Sequence, residues 1–64
     1  MIVRLKYHDL GVEKGYSMWV RSKQEVIDKL ARVGAAPGDV FYLAVKKKGD
    51  EDFKEYDPGV LLND

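Results

Sequence analysis

Only one stretch of this chain repeats its apolar residues at helical spacing, and that limits how the rest can be covered. Ser22-Lys23-Gln24-Glu25 opens it as a capping box. In that motif the Ser22 hydroxyl accepts from the Glu25 amide, and the Glu25 carboxylate reaches back to the Ser22 amide. Val26, Ile27, Leu30, Ala31 and Val33 then form one apolar face. Gly34 stands where a helix end calls for a left-handed residue. The spacing predicts a helix over 23–33. Glu25 with Lys29 and Asp28 with Arg32 are acid-before-base pairs on its flanks, each worth a few tenths of a kcal/mol.

Elsewhere the apolar period is two. Val3, Leu5 and Tyr7 share one face of a predicted strand over 2–8, and Arg4, Lys6 and His8 share the other. Residues 9–15, with two glycines and three charges, read as a loop in which Leu10 and Val12 tuck inward. A second strand over 16–21 places Tyr16, Met18 and Val20 opposite Ser17, Trp19 and Arg21. Short separation makes these two strands a hairpin.

After the helix, Ala35-Ala36-Pro37-Gly38-Asp39 reads as a turn. A third strand over 40–47 carries Phe41, Leu43 and Val45 on one face, and Tyr42, Ala44 and Lys46 on the other. Lys48-Gly49-Asp50-Glu51 is a tight-turn candidate before a fourth strand over 53–56. Its register stays open: a two- or four-residue turn sends Phe53 outward and Tyr56 inward, and a three-residue turn reverses them. Val60-Leu61-Leu62 is too apolar for a free tail and docks on the core or adds a short strand. The expected fold is α+β, ordered ββαββ, with one helix on one face of a four-stranded antiparallel sheet, in a single domain spanning 1–64. The strand order within the sheet is open.

Bulk numbers narrow the functional classes. The chain has 64 residues, no cysteine, one histidine, 45% hydrophobic residues and no net charge. A disulfide scaffold, a cysteine-bound zinc and a disordered chain are excluded. A domain near 60 residues buries only about 60% of its unfolded surface, so pairing with another chain is a natural source of stability. The longest apolar run, 41–45, falls far short of the roughly 20 residues that span a membrane. The N-terminus alternates apolar and basic residues, unlike a secretory signal, so the cytoplasm is the expected location. Residues 1–32 carry +3 and 33–64 carry −3, a split that folding can cancel.

No reaction type has its parts. Lys46-Lys47-Lys48 and Asp50-Glu51-Asp52 are expected to neutralise one another across a hairpin. The acids do not have calcium-loop spacing. His8 has no orienting partner, with Ser17 the nearest plausible nucleophile and unmarked. Gly11 and Gly15 bracket a turn and are not followed by the Lys-Ser/Thr and helix of a phosphate loop. No catalysis, cofactor, metal or small-molecule substrate is expected.

What remains is the sheet face the helix leaves open. By period two it carries Arg4, Lys6, His8, Ser17, Trp19, Arg21, Tyr42, Ala44 and Lys46, with Lys48 a further candidate at its end. The candidate binding set is Arg4, Lys6, Trp19, Arg21, Tyr42 and Lys46. Trp, Tyr and Arg concentrate in protein interfaces, which makes a non-catalytic interaction module the leading expectation. The expected mode is self-association through this face, as a homodimer with Trp19 and Tyr42 as buried anchors and Arg4, Lys6 and Arg21 as a polar rim. A different protein partner, as suits a regulator or inhibitor of a larger protein, is the other form of the same expectation. Weak binding of single-stranded nucleic acid is the alternative, with bases on the rings and phosphates on the cations. Neutral charge weighs against it, because dedicated binders are basic as whole domains. Cross-strand aromatic and Lys pairs also stabilise small sheets without binding anything.

Overall fold

The computed structural model describes residues 1–62. Its elements are β1 (Ile2–Asp9), β2 (Val12–Trp19), α1 (Lys23–Arg32), a 3-10 turn (Pro37–Asp39), β3 (Val40–Lys46), β4 (Lys54–Tyr56) and α2 (Pro58–Leu62). The fold is α+β, with a four-stranded antiparallel sheet ordered β2-β1-β3-β4. Each hairpin therefore contributes one central and one edge strand.

α1 forms where the periodicity places it. The Ser22 hydroxyl accepts from the Glu25 amide at 3.4 Å. The Glu25 carboxylate accepts from the Arg21 amide at 3.0 Å, one residue before the expected Ser22. It is thus committed to the backbone, and the expected ion pair with Lys29 is not formed. Asp28 accepts from Gln24 instead of meeting Arg32. At the other end Ala35 donates to Leu30 and Gly34 to Ala31, with Gly34 at φ 79°. These are the paired hydrogen bonds of a Schellman cap.

Val26 and Leu30 of α1 pack on Val3, Leu5, Tyr7, Met18, Val20, Val40, Leu43 and Val45, and Leu62 of α2 closes the cluster. Ile27 packs at the margin, whereas Ala31 and Val33 face solvent. The C-terminal apolar run docks as a helical turn, with no added strand. Beside it lies an apolar cavity of about 130 Å³ lined by Val26, Leu43, Val45 and Leu61.

Three expectations are corrected. Residues 9–15 are not a loop: β1 and β2 run on to a two-residue turn at Leu10 and Gly11, with φ of 52° and 80°. Positive φ at both positions is the type I′ hairpin geometry, whose twist suits paired strands. Leu10 is 99% exposed and Val12 is also exposed, so neither is an inward anchor. Length explains this: ten helical residues reach about 15 Å, whereas an eight-residue strand reaches about 27 Å. No described element covers the far end of the hairpin. There Lys14 donates to Asp9 at 2.6 Å, and that bond and charge raise the Lys14 pKa above its ordinary 10.5.

The second correction is a β-bulge. Lys6 pairs with Tyr42 but Tyr7 pairs with Val40, leaving Phe41 as the extra residue. Val40 turns into the core at 7% exposure, and Phe41 turns outward at 42%. The alternation expected through 40–47 holds only from Tyr42 onward.

The third concerns the charged hairpin. No ion pair joins Lys46-Lys47-Lys48 to Asp50-Glu51-Asp52 among the described residues. Asp50 accepts from the Lys47 amide and Asp52 from the Phe53 amide, so these acids shape the connection rather than neutralise the lysines. The turn closes at Lys47–Asp50, with Gly49 at φ 92°.

Candidate functional site: the open sheet face

The cross-strand register arranges the open face in rows. Trp19, Ile2 and Lys46 form the first. Ser17, Arg4, Ala44 and Glu55 form the second. Gly15, Lys6 and Tyr42 form the third, and Glu13 and His8 the fourth, beside Phe41. Arg21 follows just beyond β2. All six candidate residues therefore share one face. Trp19 and Tyr42 stand two rows apart.

Rings and cations on this face are matched. The Arg4 guanidinium lies 4.2 Å from the Phe53 ring centroid. The Lys6 ammonium lies 5.5 Å from Tyr42, and the Arg21 guanidinium 5.8 Å from Trp19. The His8 ring stacks on Phe41, with centroids 4.3 Å apart. Among the described residues no carboxylate comes within 4.0 Å of the charged nitrogens of Arg4, Lys6, Arg21 or Lys46. The acids of the face, Glu13 and Glu55, stand on the edge strands.

Small residues set the relief. Gly15 has nothing within 4 Å of the place its Cβ would occupy. A shallow open depression lies there, bordered by Arg4, Lys6, Ser17 and Tyr42. Trp19, two rows away, is 61% exposed.

Two aromatics of the face, Phe53 and Phe41, stand outside the candidate set. Phe53 depended on a register that turn length left open, and the Leu43–Tyr56 pairing now sends it outward and Tyr56 inward. Phe41 is exposed by the bulge, which has no sequence signature here. His8 is opposite Glu13, and Ser17 is opposite Arg4, so the register does not bring that histidine and serine together.

Comparison of the chain with protein-family models, with curated proteins and with solved structures returns no match. No helix among the described residues is long and apolar enough to cross a membrane.

Proposed function

We propose that this chain is a small non-catalytic protein-interaction module that docks through its open sheet face. A regulator or inhibitor of a larger protein, working in the cytoplasm, is the role that suits it. The observation behind this reading is the pairing of an exposed Trp19 with cations that no carboxylate among the described residues neutralises. Burial of such rings and guanidinium groups supplies most of the energy in protein interfaces. The charge also selects the partner. Two copies packed face to face would bring together the cations of the two central strands, Arg4, Lys6 and Lys46, because the acids of the face, Glu13 and Glu55, stand on the edge strands. An acidic surface carrying apolar side chains complements those cations.

The same cations support a second reading, a single-stranded nucleic acid. Against it, Phe53, Tyr42, Trp19 and Phe41 each already have a cation or an imidazole of their own chain beside the ring. A base would have to displace it.

Trp19 is the only tryptophan, so its fluorescence reports on the face. A peptide alternating glutamate with leucine should shift its emission to the blue and saturate. Arg4→Glu with Lys6→Glu should abolish the shift. An oligothymidylate that moves Trp19 with a steep salt dependence, while the peptide does nothing, would transfer the assignment to nucleic acid. No response to either probe would remove the docking face.

A further inference from the structure

We infer that β2 is a self-pairing edge, through which two copies join their sheets into one of eight strands. This goes beyond the docking reading and does not depend on it. The hydrogen-bond phase of β2 shows which backbone groups are free. Val20 donates to the Met1 carbonyl at 2.9 Å, and the Met1 amine donates back to Val20 at 2.9 Å. That exchange marks a close pair. Because the β1–β2 register is unbroken, the other close pairs are Val3 with Met18, Leu5 with Tyr16, Tyr7 with Lys14 and Asp9 with Val12. The N–H and C=O groups of Glu13, Gly15, Ser17 and Trp19 therefore point away from β1, along an edge where no described group accepts from them or donates to them.

Natural sheets shield such an edge with proline, a bulge, shortness or charged side chains. β2 runs eight residues without proline or bulge, and its charges, Glu13 and Lys14, stand together at its turn end. The opposite edge contrasts with it: β4 is three residues long and Pro58 follows directly.

A second copy fits this edge in one best register. Antiparallel pairing about a two-fold axis normal to the sheet must join outward-pointing residues to outward-pointing residues. Placing Glu13 opposite Trp19, and Gly15 opposite Ser17, matches all four from each copy. A shift by two residues in either direction loses a pair. The axis then passes between the two Tyr16 side chains. On the open face each Glu13 meets Trp19 of the second copy and lies diagonal to its Arg21, within reach of a long side chain. The Arg21 guanidinium already leans toward the Trp19 ring. The pairing thus supplies the Arg21 guanidinium with a carboxylate, which no described residue of its own chain brings within 4.0 Å, twice by symmetry. Because the axis is normal to the sheet, both open faces end on one side and both helices on the other.

The test is molar mass by light scattering across a dilution series, with circular dichroism and urea midpoint as folding controls. The wild-type chain should run as a dimer that dissociates on dilution. Ser17→Pro removes an amide that β1 does not use, so it should leave the fold intact and the chain monomeric. Glu13→Arg and Arg21→Glu should each weaken the dimer about tenfold, since each turns two attractions into two repulsions. Combined, they should restore it. A monomer at every concentration overturns the inference, and so does a dimer that survives Ser17→Pro. If Ser17→Pro abolishes the dimer but combining Glu13→Arg with Arg21→Glu does not restore what each weakens alone, the register is overturned.

Discussion

The Arg4 guanidinium reaches Phe53 across the full width of β3. Arg4 is on β1 and Phe53 leads into β4, so the 4.2 Å contact passes over the strand between them. Directly beneath is Ala44, opposite Arg4 and only 1% exposed although it faces the open side. A larger residue at 44 would stand where the guanidinium lies. In a double-mutant cycle, Arg4→Ala and Phe53→Ala should couple by about 0.5–1 kcal/mol, the range for partly exposed cation–π pairs. Urea unfolding of the four proteins measures it. Additive single effects would mean that the contact contributes nothing to stability.

The bulge at Phe41 predicts an asymmetry between neighbours. Val40→Asp places an unpaired charge in the core and should cost several kcal/mol, enough to unfold a domain of this size. Phe41→Asp changes a side chain outside the core cluster and should cost no more than about 1 kcal/mol. Uninterrupted alternation would give the opposite order. Circular dichroism of the two variants distinguishes the two arrangements.

Leu10 has a strained backbone and no packing to compensate. Its φ of 52° is unfavourable for a residue with a branched side chain, and it is almost wholly exposed. Leu10→Asn should stabilise the chain by about 0.5–1 kcal/mol, and Gly11→Ala, at φ 80°, should destabilise it by about 1 kcal/mol or more. Thermal midpoints moving up for the first and down for the second would bear this out. If Leu10→Asn lowered stability, the type I′ geometry would be wrong.

The Asp9–Lys14 pair predicts a change at alkaline pH. Its folded pKa is raised above 10.5, so the stabilisation is fully present below that value. It is lost as pH rises through the folded pKa, where the neutral amine no longer attracts Asp9. Asp9→Asn should return the Lys14 pKa to its ordinary range, read from its ε-methylene shifts by NMR. An unchanged titration curve would mean that the pair is not populated in solution. Added salt should weaken it, because both groups are open to solvent.

Local patterning determined much of this protein. The ββαββ order, the helix with its Ser22 and Gly34 ends, and the joint placement of Arg4, Lys6, Trp19, Arg21, Tyr42 and Lys46 all follow from period and capping chemistry between near neighbours. Those rules need only a few residues of context. The tertiary structure decided what depends on distant partners. Leu10-Gly11 carries no usual hairpin residue at its first turn position, and only the extended β1–β2 pairing forces it into that geometry. Phe41 is exposed because Val40, rather than Phe41, fills the space beside Tyr7. Phe53 joins the open face because the β3–β4 register places it there. The free edge of β2 exists only because β3 takes the other side of β1, a pairing between residues far apart in the chain and written in no single segment.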